Sequence, residues 1–365
     1  MLGGMTAAPA DHRSIWRIPR AGSLNRLALV DEPLPRPAPG EAQVEVLAVG
    51  LNFADIFACL GLYSATPAGA FVPGLECAGI VRALGEGVSS VKIGDRVMVL
   101  TRFGGYATSL NVPAQTLWPV PAGWTPAEAA AYPVQALTAW YGLVSLGAAR
   151  AGQRVLVQSA AGGVGLQALH ALRRIGAHPV GIVGRPDKRD WLIERFGLAP
   201  EQVVLRDAHF GTALDRALAA LGATGFDLVF DAVYGEYFRP AFERLAPEGR
   251  YVLYGAADFM GDGSRPNPLA LAWRYLRRPR LDPLAMISQN RALLAFNLIW
   301  LWEQADRLPE AMRATLALIP ERAHLGGAFP FADAPAAMRA LQSGRTTGKL
   351  VLHTSATIPV WPTLP

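Results

Sequence analysis

Val155-Leu156-Val157-Gln158-Ser159-Ala160-Ala161-Gly162-Gly163-Val164-Gly165 runs a buried-type apolar strand straight into a glycine-rich turn and then a helical period. That order places free backbone N–H groups at a helix start, where a pyrophosphate binds. Gly162 lets the backbone approach phosphates, and Gly165 lets the helix pack closely on the strand. Ala160 stands where the dinucleotide fingerprint has its first glycine, so the match to G-x-G-x-x-G carries one small-residue replacement. Ala161, Gly162, Gly163, Val164 and Gly165 are the expected cofactor turn.

Working outward, strand and helix patterns alternate. A helix carrying Leu166, Leu169 and Leu172 is followed by a strand at Pro179 to Val183, a helix at Asp187 to Phe196 and a strand at Val203 to Leu205. Then come a helix around Leu214, Leu218 and Leu221, a strand at Asp227 to Phe230, a helix through Phe238 and Leu245, and a strand at Arg250 to Tyr254. Short apolar runs separated by helical periods imply an α/β, doubly wound parallel sheet covered on both faces. Its ligands bind beyond the carboxyl ends of the strands, where Ser159, Gly184, Arg206, Asp231 and Gly255 fall.

The chain has 365 residues, 51% hydrophobic and 17% charged, which suits two domains and excludes both a disordered chain and a membrane bundle. The apolar run Leu293 to Trp302 contains Asn297 and is too short to cross a bilayer, which needs about 20 helical residues. Met1 to Arg20 lacks a continuous apolar region and reads as a loose leader, so the expected location is the cytoplasm. Cys59 and Cys77 read as small buried residues of a reducing compartment. A net charge of +5 is modest, and no nucleic acid is expected as a partner. Arg274 to Arg280 concentrates positive charge, and it reads as a solvated face or as a contact for an acidic partner or anionic membrane.

Before the glycine turn the sequence is rich in Gly and Pro, with short β-type segments such as Ala42 to Val49 and Arg96 to Leu100. Within it lie Gly50-Leu51-Asn52-Phe53-Ala54-Asp55, Gly61-Leu62-Tyr63, Pro73-Gly74-Leu75-Glu76-Cys77-Ala78-Gly79, Gly94-Asp95-Arg96-Val97 and Gly104-Gly105-Tyr106-Ala107. With Leu137-Thr138-Ala139-Trp140-Tyr141 and the glycine turn, these segments resemble the medium-chain dehydrogenase/reductase superfamily across nearly the whole chain. Asn290-Arg291-Ala292 and Phe296-Asn297-Leu298 resemble the zinc-free quinone oxidoreductase branch, near relatives of the synaptic vesicle amine-transport protein homologue. The resemblance implies a GroES-like domain (1–136 and 297–365) with a Rossmann-type domain (137–296) inserted, the site lying between them. It also implies a homodimer paired through the edge of the Rossmann sheet.

In zinc alcohol dehydrogenases of this superfamily the metal ligands are a Cys at the position of Asn52, a His at that of Leu75 and a Cys or Asp near Val134. Catalytic zinc needs about three N, S or carboxylate donors, so no metal is expected. The six histidines, His12, His170, His178, His209, His324 and His353, are scattered singly.

No acidic residue occurs at Ile182, Val183 or Gly184, where an NAD site holds its ribose, whereas Arg185 lies 20 positions after Gly165. Lys188 follows within one turn, and Arg206 lies just past the third strand. Three cations there point to NADP(H), and cations at a helix start oppose its dipole unless an anion compensates. The expected reaction is hydride transfer from NADPH to a quinone or α,β-unsaturated carbonyl. Asn52 offers an amide N–H and Tyr63 a phenol to the oxygen that gains charge. Tyr63 reads equally as cleft wall. Asp55 is expected to anchor its loop, and Glu76 to support its neighbours. By resemblance, Thr138 bonds phosphate or ribose, and Tyr254, Gly255 and Ala256 lie beside the nicotinamide amide. Lys349 matches a basic residue near the cofactor, or else is a strand-end lysine in solvent. Two other functions stay open. One is an NADPH-binding, partner- or membrane-associated protein with little turnover; the other is a pathway-specific alkene or carbonyl reductase with a bulky substrate in a pocket lined by Trp273, Tyr275, Phe296, Trp300 and Trp302.

Overall fold

Six strands form a parallel sheet in the spatial order Val203–Leu205, His178–Val183, Arg154–Val157, Phe226–Asp231, Leu245–Leu253, Ala292–Ala295. Numbered along the chain this is 3-2-1-4-5-6, the doubly wound dinucleotide-binding order, whose crevice opens where the direction of winding reverses. Val155, Leu156, Val157, Val180, Ile182, Leu228, Val229 and Phe230 are buried, as central strands covered by helices on both faces require. The computed structural model of the chain describes residues 12–261, 263–355 and 360–361.

A second, mostly antiparallel sheet joins strands from both ends of the chain. Glu41–Gly50, Glu76–Leu84, Arg96–Leu100, Ser109–Pro113 and Leu117–Pro119 come from before the parallel sheet, and Leu325–Pro330 and Lys349–His353 from after it. One hydrophobic cluster runs from Ala48, Leu75 and Trp118 of this sheet into Leu137, Val157, Leu166 and Phe230 of the parallel unit. The two sheets therefore share one continuous apolar core.

Three sequence expectations shift. His12–Arg17 is not leader but a strand paired antiparallel with Ala28–Pro33, fastened by Arg13 and Arg17 on Glu32; Met1 to Asp11 lie outside the described residues. The helix expected to reach Leu245 stops at Glu243, and Leu245 instead opens the strand Leu245–Leu253. Glu248 at φ 65 and a register shift opposite Phe226 and Leu228 kink that strand, which hides its first half from a period-two reading. Leu293 to Trp302 splits into the edge strand Ala292–Ala295 and a 3₁₀ segment starting at Leu298. Among the described residues, no helix is long and apolar enough to cross a membrane.

Candidate active site

The glycine turn closes tightly. The Gly162 N–H donates to the Ser159 carbonyl at 2.8 Å, and helix Gly163–Ile175 begins immediately after it. A Cβ on Gly165 would press into the Ser159 carbonyl and lie 2.6 Å from Ala160 Cα, so glycine there sets how closely helix and strand approach. Ser159 itself sits at φ 52, a conformation uncommon outside glycine. The turn is tied to the other sheet: the Gly348 N–H donates to the Ala161 carbonyl at 2.8 Å, and Gly162 and Gly348 form an isolated parallel bridge.

The three cations near the turn have different surroundings. Arg185 caps helix Pro186–Phe196 and pairs at 2.8 Å with Asp187 in the first turn, so the anion expected to offset the dipole is supplied by the chain. Lys188 donates to the carbonyls of Gly344 and Thr346 at 2.6 and 2.7 Å, a structural tie across the two sheets. Arg206, half-buried, places Nη1 3.5 Å from Ser159 Oγ and lies 5.8 Å from the Tyr237 ring centroid. A Cβ on Gly184 would lie 3.2 Å from its Nη2. Among the described residues no carboxylate is within ion-pair reach of Arg206, and burial draws its pKa below the usual value. A desolvated guanidinium with no ion-pair partner, at the open end of a parallel sheet, fits an anionic group such as a 2′-phosphate.

Asn52, at the start of helix Phe53–Leu60, is 8% exposed. Its backbone N–H donates to Asp55 at 2.8 Å, while Nδ2 donates to Glu76 Oε1 at 3.0 Å and lies 3.4 Å from the Gly50 carbonyl. Its Oδ1 accepts from Lys349 Nζ at 2.7 Å. Asn52 therefore commits Oδ1 and one of its two amide N–H bonds to a buried pair, and its other N–H has only the long Gly50 contact. Lys349 and Glu76 form that pair, at 1% and 0% side-chain exposure, and Glu76 Oε2 also accepts the Val134 N–H at 2.8 Å. The solvent reading of Lys349 is overturned; burial lowers its pKa and the Glu76 charge opposes that.

Asp55 completes the cluster, accepting from the Tyr106 hydroxyl at 3.1 Å as well as from Asn52. Burial pushes its carboxyl up to about 7, against the pull of the Asn52 N–H, Lys349 and Tyr106. The folded chain thus holds this proton more tightly than the unfolded chain, where the ordinary value of 3.8 applies. Its contribution to stability is complete below about pH 4 and is lost as pH rises toward about 7. Denaturant titrations across that range should show stability falling, and Asp55→Asn should flatten the fall. An unchanged slope in the variant would assign the effect to other groups.

The Tyr63 hydroxyl donates to Asn297 Oδ1 at 2.7 Å, joining the connection between strands Glu41–Gly50 and Glu76–Leu84 of the antiparallel sheet to the residue that caps the segment after the last parallel strand. Burial pushes the Tyr63 phenol up to about 12. In the sequence Asn297 stands out as the polar residue of an apolar run and as part of a family-like segment, and nothing in its local pattern marks it as a partner of Tyr63. Tyr254 stacks on Phe230 at 4.2 Å, and a Cβ on Gly255 would lie 2.6 Å from the Ala232 carbonyl. Ala256 precedes the short turn Ala257–Phe259. Asp231 faces inward, accepting from the N–H groups of Val233 and Tyr234 and from the Tyr251 hydroxyl at 2.6 Å, so it shapes the strand end from within. Thr138 Oγ1 donates to the Val134 carbonyl at 2.6 Å, which leaves its lone pairs available.

Residues 38–122 match the family model described as alcohol dehydrogenase GroES-like domain, and residues 201–352 that described as zinc-binding dehydrogenase. The human synaptic vesicle membrane protein VAT-1 homolog is 33% identical over 336 residues, covering 91% of this chain and 84% of that protein. This chain belongs to the medium-chain dehydrogenase/reductase superfamily. Within it the chain lies in the zinc-free quinone oxidoreductase branch, near VAT-1. The quinone oxidoreductase of Thermus thermophilus, solved also in complex with NADPH, superposes with a TM-score of 0.73 at 32% identity, over 93% of this chain and 99% of that one. The enoyl reductase CurK superposes at 0.75 and 26% identity, over 93% and 99%.

Despite the second family model's description, the superfamily's catalytic-metal positions hold Asn52, Leu75 and Val134 here, and Leu and Val have no donor atoms. Lys349, Glu76 and Asn52 fill the polar centre of this oxidoreductase fold instead. Among the described residues no cluster of three or more His, Cys, Asp and Glu could hold a metal.

Proposed function

We propose that this chain is a cytoplasmic, zinc-independent, NADPH-dependent reductase of quinones or α,β-unsaturated carbonyls. Arg206 carries the reading: a guanidinium without an ion-pair partner among the described residues, at the mouth of a dinucleotide-type sheet, with no acidic residue at the end of the second strand. The quinone oxidoreductase and enoyl reductase neighbours support the reaction class, not the acceptor. The division into a GroES-like unit at 1–136 and 297–365 and a cofactor unit at 137–296 belongs to this proposal and is in keeping with the two sheets.

Bound here, the nicotinamide supplies a hydride. The N–H groups opening helix Gly163–Ile175 hold the pyrophosphate, and Arg206, with Arg185 at the rim, holds the 2′-phosphate. Thr138 and the Tyr254-Gly255-Ala256 segment border the nicotinamide end. Asn297 keeps the Tyr63 phenol at the cleft; with an acceptor bound, its single O–H turns from Asn297 Oδ1, which retains the Ile299 N–H, to the acceptor oxygen, where negative charge develops. A phenol held near 12 is a poor acid, so Tyr63 acts as a hydrogen-bond donor and water supplies the proton. Tyr63→Phe should lower kcat/KM for an enone by about 10- to 100-fold with the NADPH Kd unchanged. An equal loss in NADPH affinity would place the phenol in cofactor binding instead. NADPH consumption measured against a panel of quinones and enones tests the whole reading; tight NADPH binding without turnover on any of them would favour a binding protein.

The reading includes a homodimer. Strand Ala292–Ala295 pairs on one side only among the described residues, and the neighbouring helices Pro268–Leu276 and Pro283–Gln289 expose Leu269, Trp273, Leu276, Leu284 and Ile287. Open edges and apolar faces of this kind are covered in stable proteins. Sedimentation equilibrium should give a dimer that Ile287→Glu weakens; a monomeric wild type would remove it. In the basic segment, Arg277 and Arg278 lie over Trp273 and Tyr275 at 4.9 and 3.7 Å, and Arg274 bonds the Asp258 carbonyl.

A further inference from the structure

Away from the nicotinamide cleft, a cavity of about 250 Å³ lies between helix Gly163–Ile175, helix Pro186–Phe196 and the segment that leads into strand Leu325–Pro330. Its lining includes Gln167, only 1% exposed, whose Oε1 has no hydrogen-bond partner among the described residues. A buried amide oxygen of this kind calls for a donor. The walls are aromatic: Trp191 packs against His324 with ring centroids 4.9 Å apart, and Phe196 against His170 at 5.0 Å. Burial holds both imidazoles below the usual histidine range, so these walls are uncharged near neutral pH.

The rim is cationic. Arg322 donates to Glu128 at 3.2 Å, but Arg195, exposed at the mouth, has no carboxylate within ion-pair reach among the described residues. A net positive mouth, flat aromatic sides and an unpaired acceptor in the lining describe a complementary molecule.

We propose that this cavity binds a planar aromatic carboxylate that carries a hydroxyl distal to its acid group. The ring lies against Trp191 and His324, the carboxylate meets Arg195, and the hydroxyl donates to Gln167 Oε1. The site is separate from the hydride-transfer cleft and does not depend on the reductase reading.

Calorimetry with 6-hydroxy-2-naphthoate tests it, with 2-naphthoate lacking the donor and 2-naphthol lacking the charge. Saturable one-to-one binding is expected, at least tenfold weaker for each truncated probe. Gln167→Leu should erase the advantage of the hydroxyl, and Arg195→Ala, on an exposed helix face, the advantage of the carboxylate. Neither variant should alter NADPH affinity. Absence of binding, equal affinity for all three probes, or binding unchanged in both variants would overturn the proposal; so would displacement of the probe by a quinone or enone substrate.

Discussion

Arg206→Ala should weaken NADPH binding by about 10- to 100-fold and leave NADH binding nearly unchanged. A charge-assisted hydrogen bond to a phosphate is worth about 1.5–3 kcal/mol, which converts to that range of Kd. The guanidinium is already desolvated and has no ion-pair partner among the described residues, so a 2′-phosphate displaces no competing carboxylate there. Arg185→Ala should cost less, because its guanidinium is about half exposed and committed to Asp187. Calorimetric titration of both cofactors into both variants checks this. Equal losses for NADH and NADPH in Arg206→Ala would mean that the residue supports the fold of the pocket and does not read the phosphate.

Lys349→Met should destabilise the chain by about 3–5 kcal/mol, the cost of stranding a buried carboxylate. Glu76 would keep only the N–H groups of Val134 and Asn52 against its charge. The loss should extend beyond stability, because Lys349 follows Gly348, whose N–H holds the Ala161 carbonyl of the cofactor turn. Adding Glu76→Gln should recover part of the loss, since the stranded charge is then gone, and the double-mutant cycle should give a coupling well above 1 kcal/mol. Equilibrium denaturation of the four proteins provides the numbers. A single-variant loss below about 1 kcal/mol would show that water or a rearranged partner reaches Glu76.

The parallel sheet was legible because its information is local. Val155 to Val157, Val203 to Leu205 and Leu228 to Phe230 are apolar runs cut off by polar or turn residues, and burial on both faces demands such runs. The hairpin of His12–Arg17 with Ala28–Pro33 was not, because Arg13 and Arg17 look like solvent-facing charges until Glu32 is brought beside them. The site divides in the same way. Glycines at 162, 163 and 165 announce a phosphate turn by type and spacing. Lys349 lies far along the chain from Glu76 and Asn52, and only the meeting of strand Lys349–His353 with strands Glu41–Gly50 and Glu76–Leu84 makes them one network. Arg185 and Arg206 are the same residue type at successive strand ends, yet Asp187 neutralises one and, among the described residues, no carboxylate meets the other. Residue type pointed to the cofactor, while side-chain partners separate the two arginines.

Hydride delivery to a conjugated carbon can be followed directly with NADPH dideuterated at C4 of the nicotinamide and an enone acceptor, using protein dialysed against a chelator. The expected product is the saturated ketone with deuterium at the β-carbon, formed at an undiminished rate after chelation. Deuterium at the carbonyl carbon, no transfer at all, or a rate restored only by added zinc would contradict the account.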